Sequence, residues 1–205
     1  MLAIISKALK KYFDTMVVLL DNGHGQETPG KRSPKWSDGK QLFEWEWVRR
    51  LVKAIATQLK QDGIESEIIV PENTEPGLSV RANRANKLVQ KYGANNCIFI
   101  SVHGNAGGGK GWEVFSTTKK NKSDVLAECF TSLFSSVFPN RHNRGHKEAD
   151  FTVIYKTNCP AVLTENFFYD NEEECHYMLS NEGFDKIVEL HVLAIEKYIR
   201  ENTKE

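Results

Sequence analysis

Val17-Val18-Leu19-Leu20-Asp21-Asn22-Gly23-His24-Gly25 is a short apolar run that breaks into a glycine-flanked histidine. Four consecutive apolar residues suit a strand covered on both faces, and Asn-Gly turns the chain at its end. His24 is thereby delivered past the carboxyl end of a strand, where open α/β sheets hold their ligands. The competing use of such a residue is a turn histidine bonded to nearby backbone. Cys97-Ile98-Phe99-Ile100-Ser101-Val102 repeats the pattern and runs into His103-Gly104-Asn105-Ala106. Pro160-Ala161-Val162-Leu163-Thr164 is a third such run, ending in Glu165. If these strands are parallel, His24, His103 and Glu165 emerge at one edge of the sheet.

The intervening sequence supplies helices. Leu42 to Trp47 leads into Val48, Leu51, Val52, Ile55, Ala56 and Leu59, whose spacing marks an amphipathic helix closed by Gly63. A strand is expected over Ile64 to Val70, then a helix over Leu78 to Tyr92 with Val80, Ala85, Leu88 and Val89 inward and Gly93 as its stop. Further strands are expected at Gly111 to Ser116 and Phe151 to Tyr155, and helices at Asp124 to Phe138, Glu172 to Leu179 and Gly183 to Ile199. The polar stretch Gln26 to Gln41 is a loop at the rim of the site. This alternation describes α/β architecture: one three-layer domain over 16–200, with a twisted, mostly parallel sheet and helices on both faces. Residues 1–15 read as an amphipathic helical extension or a ragged end before Met16, and 201–205 as a tail.

The 205 residues suffice for one well-buried domain, which would bury roughly 70% of its unfolded surface. The charge is balanced, 27 basic against 27 acidic side chains, so no basic field marks nucleic acid or an anionic membrane as partner. No run of 18 apolar residues is present. Lys7, Lys10 and Lys11 interrupt the apolar residues of the opening segment, unlike a secretory signal, so the protein is expected to be cytoplasmic as made. Cys97, Cys129, Cys159 and Cys175 are widely spaced and read as free thiols.

Two imidazoles and a carboxylate form a zinc site that keeps a fourth position open, the pattern of a catalytic metal. Glu44 and Glu46 both qualify as the carboxylate. On a strand they would face the same way, whereas on a helix they diverge by about 200°. A glutamate near a helix start also serves as a cap or dipole partner. Zinc lowers the pKa of water to about 7 and polarises a carbonyl, and a further carboxylate must move the proton to the leaving amine. Glu165 suits that task; its competing reading is a buried glutamate paired with Arg81, Arg84 or Arg144. The four tryptophans Trp36, Trp45, Trp47 and Trp112 cluster near these segments, where core packing competes with substrate stacking. No G-x-S-x-G elbow is present. His142, His146, His176 and His191 have no second ligand at i+4 and read as ordinary polar residues.

Asp21-Asn22-Gly23-His24-Gly25, Glu44 at a helix head, Ser101-Val102-His103-Gly104-Asn105-Ala106 and Pro160 to Glu165 together resemble the zinc-dependent N-acetylmuramoyl-L-alanine amidases of bacterial and phage wall-lytic enzymes. Leu78-Ser79-Val80-Arg81 with Ala85-Asn86, and Arg144-Gly145, fit the same family pattern. The resemblance runs from Val17 to about Tyr198. It implies one zinc ion held by His24, Glu44 and His103, with Glu165 as catalytic acid/base, and it selects Glu44 over Glu46 by the distance back from Gly63. The implied reaction is hydrolysis of the amide between the lactyl group of N-acetylmuramic acid and the L-alanine of the stem peptide. Peptidoglycan or muropeptides would be the partner of a monomeric enzyme that reaches the wall after release or by non-standard export. Two departures stand out. Asn22 occupies a frequent proline position, and Asn166-Phe167-Phe168 replaces a small residue and glycine, which predicts a bulkier wall beside the base. The glycines around His24 are expected to let backbone pass close to metal and substrate. A zinc metallopeptidase cutting within the stem peptide, or an inactive wall-binding module, are the alternative readings.

Overall fold

The computed structural model describes residues 15–119 and 122–202, so the extension read over 1–15 lies, except for Thr15, outside the described residues, as do 203–205. The elements in chain order are β1 (Val17–Asn22), α1 (Glu44–Gln61), β2 (Glu65–Ile68), α2 (Leu78–Tyr92), a 3-10 turn (Ala94–Asn96), β3 (Cys97–Asn105), β4 (Trp112–Ser116), α3 (Lys122–Val137), β5 (Asn143–Glu148), α4 (Thr152–Tyr155), β6 (Ala161–Phe168), α5 (Glu172–Leu179) and α6 (Asn181–Glu201). They build one six-stranded sheet in the order β2-β1-β3-β6-β4-β5. The first four of these strands are mutually parallel, while β4 runs antiparallel to β6 and β5 follows β4.

Both sheet faces are covered, which is why the central strands are apolar on both faces over their first residues, 17–20, 97–100 and 161–163. Val18, Leu20, Ile98, Ile100, Val102 and Val162 face α1, α3 and α6 across the larger core. Val17, Leu19, Phe99, Ala161 and Leu163 point the other way, toward α2 and α4. Registers of Leu20 with Ile100 and of Ile100 with Val162 bring the three strand ends level. The ends of β1, β3 and β6 therefore share one edge.

Two expectations fail here. Phe151 to Tyr155 is not a strand: its central residues form α4. A strand would alternate its faces, but the adjacent Val153 and Ile154 are both buried while Phe151 and Tyr155 are 40% and 42% exposed. The strand next to β4 is instead Asn143–Glu148, a polar edge strand with no apolar alternation to announce it. Within α2, Val80 is 42% exposed, and the inward stripe is Arg81, Ala82, Ala85 and Val89. Arg81 on that stripe matters to the site.

At the centre of the larger core, Trp112 stacks on Phe130 and Phe134 at centroid distances of 6.2 and 5.2 Å, and its Nε1 donates to Asn166 Oδ1 at 3.0 Å. Replacing Trp112 by Ala removes the ring and orphans Asn166; urea denaturation is expected to show a stability loss of about 3–5 kcal/mol.

Candidate active site

Glu44 is the first residue of α1 and fully buried, whereas Glu46 is exposed. Its Oε1 lies 3.4 Å from His24 Nε2 and 3.3 Å from His103 Nδ1, and accepts the Gly104 N–H at 3.1 Å. The donor atoms of His24, Glu44 and His103 all fall within 4.8 Å of one another, a cluster that could hold a metal ion. Glu44 Oε2 is buried without a hydrogen-bond partner. An unpaired carboxylate oxygen beside two imidazole nitrogens fits a divalent cation of zinc's donor preference. Burial alone would raise the Glu44 pKa, but the two imidazoles outweigh it and hold the carboxyl below its usual range. Burial also lowers the His24 pKa and so favours the neutral ring that a metal ligand needs.

The two histidines are aimed by one buried guanidinium. Arg81 donates to Asp21 Oδ1 at 2.7 Å, to the Asn22 carbonyl at 2.6 Å and to the His24 carbonyl at 3.1 Å. Arg49 grips the same His24 carbonyl at 2.9 Å. His24 itself sits in the left-handed region, φ 61°, so the sharp turn falls on the histidine rather than on its glycines. Those glycines have a different use from the one expected. A Cβ on Gly23 would lie 2.3 Å from the His103 ring, and one on Gly25 would lie 2.2 Å from the Glu75 backbone nitrogen.

From Asp21 the network continues to the second histidine. Ser101 Oγ donates to Asp21 Oδ2 at 2.6 Å and lies 3.1 Å from His103 Nε2. Because the single hydroxyl proton goes to Asp21, the oxygen accepts from His103 Nε2–H. In the neutral ring that a metal ligand needs, this leaves the lone pair on Nδ1, the nitrogen facing Glu44 and His24; without a cation, the hydrogen bond to Glu44 outweighs burial and raises the pKa of the ring. Sequence reasoning quoted Asp21, Ser101 and Arg81 as motif residues without seeing this use. The available signal was the Ser101/His103 spacing, which puts both side chains on one face of a strand.

Glu165 lies opposite His103 in the β3–β6 register. Its Oε2 is buried and unpartnered, and burial pushes its pKa up to about 7. None of the arginines weighed as its partner takes that part: Arg81 binds Asp21 and Glu75, Arg84 binds Glu72, and Arg144 binds Glu113. Just past Glu165 the register slips by one residue, a bulge on β6. The bulge turns Asn166 onto the His103 carbonyl at 2.9 Å and puts Phe167 in the left-handed region, φ 66°. Asn166, Phe167 and Phe168 are all buried: Phe167 joins the larger core, while the Phe168 ring lies under the Arg144 guanidinium at 5.1 Å.

The remaining candidates lie apart. His191 is buried between Thr164 Oγ1 at 3.0 Å and the Ile187 carbonyl at 2.7 Å, with its pKa pushed down by burial to about 4. Ser116 touches both Asp124 and His146 Nε2, but it is fully buried and the aspartate approaches the same ring nitrogen, so no triad forms. All four cysteines are free. Cys97 opens β3 at the opposite end from His103, and its thiol is raised to about 11 by burial. Trp47 and Trp112 are core residues, Trp36 and Trp45 half-buried.

The profile of the N-acetylmuramoyl-L-alanine amidase family matches residues 18–197. The chain belongs to this family. It is 30% identical over 186 residues to the endolysin of Bacillus phage SPP1, covering 87% of this chain and 64% of the endolysin. With the sporulation-specific N-acetylmuramoyl-L-alanine amidase of Bacillus subtilis (strain 168) it shares 25% identity over 88% of this chain and 67% of the relative. This amidase-family chain thus spans about two thirds of the length of these curated relatives. The solved N-acetylmuramoyl-L-alanine amidase of Clostridium difficile 630 superposes with a TM-score of 0.80 at 25% identity, covering 91% of this chain and 98% of that one.

Two measurements test the geometry. Ser101→Ala should weaken zinc binding by about 10–100-fold, read by chelator competition, while metal-free stability drops by only about 1 kcal/mol. The raised Glu165 pKa means that metal-free wild type is penalised as the pH rises from 4.5 through about 7, by roughly 3 kcal/mol. Glu165→Gln cannot ionise, so its stability advantage in urea titrations should grow between about pH 5 and pH 8 and be absent below.

Proposed function

We propose that this chain is a monomeric, zinc-dependent peptidoglycan amidase that hydrolyses the bond between the lactyl group of N-acetylmuramic acid and the L-alanine of the stem peptide. The observation that carries the reading is a buried carboxyl, Glu165, with a pKa of about 7, in register with one histidine of a His-Glu-His cluster. Family membership supports the bond type, and the phage endolysin among its relatives supports the bacterial wall as the place of action.

His24, Glu44 and His103 would hold the ion. Bound zinc supplies Lewis-acid polarisation of the scissile carbonyl and acidifies water. Glu165, able to exist in either protonation state near neutrality, accepts a proton from the attacking water and returns it to the alanine nitrogen as the amide breaks. The carboxyl gains this pKa from desolvation, and its unpartnered Oε2 leaves a proton site free. Asn166, bonded to the His103 carbonyl, keeps the strand carrying the acid/base locked to the strand carrying the ligand. Asp21 and Ser101 hold the His103 ring, and Arg81 holds the backbone of the turn that carries His24, which supports a preorganised site.

The product test is direct: incubation with muropeptides should release intact stem peptides with a free L-alanine amino terminus. Fragments cut inside the stem peptide would instead identify a metallopeptidase, and no cleavage a wall-binding module. Glu165→Gln should lower kcat by about 10²–10⁴-fold with zinc content retained. His24→Ala and Glu44→Ala should lose both metal and activity. Full zinc occupancy in Glu44→Ala together with loss in Glu46→Ala would overturn the ligand assignment.

A further inference from the structure

The loop from Gln26 to Phe43 is a fixed wall of the site. Arg32 pairs with Phe43 in an antiparallel bridge, Ser33 N–H bonds the Leu42 carbonyl at 2.8 Å, and the buried Leu42 anchors the return strand. The Lys31 carbonyl accepts the backbone N–H of Glu44 at 3.0 Å, so this residue is one hydrogen bond away from the metal cluster. Beside it opens a cavity of about 330 Å³, lined by Lys31, Arg32, Phe43, Trp45, Glu27 and Thr28 among others. Phe43, the residue before Glu44, is 38% exposed there, an apolar surface left open one residue from the metal cluster.

The cavity carries an excess of positive charge, two cations against one acid. Glu27 is its only acid, and that carboxylate already accepts the Glu75 N–H at 2.8 Å. Lys31 is half-buried, and neither it nor Arg32 forms an ion pair among the described residues. A half-buried lysine with no ion-pair partner, lining a cavity with two aromatic side chains and bonded through its carbonyl to Glu44, matches an anionic extension of the substrate. On a muramoyl peptide that anion cannot come from the sugar side, whose lactyl carboxyl is consumed in the scissile amide. It must come from the peptide.

We propose that Lys31 binds a carboxylate of the stem peptide and that the cavity between the 26–32 segment, Phe43 and Trp45 is the subsite for the leaving peptide, an inference that rests on the amidase reading above. Lys31 thereby sets the preference for free-acid over amidated stem peptides. The zinc-loaded full chain is assayed on two N-acetylmuramoyl-dipeptides that differ only in ending as a carboxylate or as a primary amide. Wild type should favour the acid by about tenfold in kcat/KM, the size of one charge-assisted hydrogen bond. The ratio should fall to about one in Lys31→Met through KM, pass below one in Lys31→Glu and survive in Lys31→Arg. A wild-type ratio near one, or a tenfold ratio that persists in Lys31→Met and Lys31→Glu, overturns the subsite while leaving the amidase reading intact. Wild type that cleaves neither substrate overturns that reading and the subsite with it.

Discussion

The ion pair between Arg81 and Asp21, 2.7 Å long with both side chains 1% exposed, is the constraint on which the site depends. A buried pair costs stability unless every lone pair and proton finds a partner. Here Arg81 also meets Glu75 and the carbonyls of Asn22 and His24, while the second oxygen of Asp21 takes the Ser101 hydroxyl. The pair therefore does more than join α2 to β1. It holds a left-handed histidine at a strand end and, two bonds away, sets the proton of the other histidine. The charge is kept inside the fold because the turn that carries His24 would relax without it.

The bulge on β6 is the complementary constraint on Glu165. One extra residue after Glu165 lets that side chain stay opposite His103 while Asn166 and Phe167 are re-aimed. Phe167 adopts a conformation that glycine would take without strain, at a cost of about 1–2 kcal/mol. Its ring is offset by burial among Phe134, Phe138 and Tyr177. The bulk of Phe167 thus strengthens the larger core behind Glu165. The same desolvation that favours aromatic packing there raises the Glu165 pKa, so packing and proton transfer draw on one environment.

Most of the parallel half of the fold was legible because strands buried on both faces open with unbroken apolar runs, as β1, β3 and β6 do before their polar carboxyl ends. Helix α1 was equally open to reading from its inward spacing. The polar edge strand Asn143–Glu148 was not, since its pairing partner rather than its own side chains makes it a strand. Phe151 to Tyr155 misled for the opposite reason: β-branched and aromatic residues packed as one turn of helix when two neighbours had to face the same core. Sequence motifs named Asp21, Ser101 and Arg81, but their hydrogen bonds span 60 and 80 residues and have no local signature.

What the sequence by itself determined was the inventory, three apolar runs each leading into a histidine or a glutamate; that they share one sheet edge follows from the parallel pairing of β1, β3 and β6. What only the tertiary structure decided was aim. Glu44 differs from Glu46 by burial alone, which follows from where α1 meets the sheet. The His103 tautomer follows from a serine whose only proton is already given to Asp21. Those outcomes depend on distances between side chains remote in sequence, set by packing of the elements rather than by any local pattern.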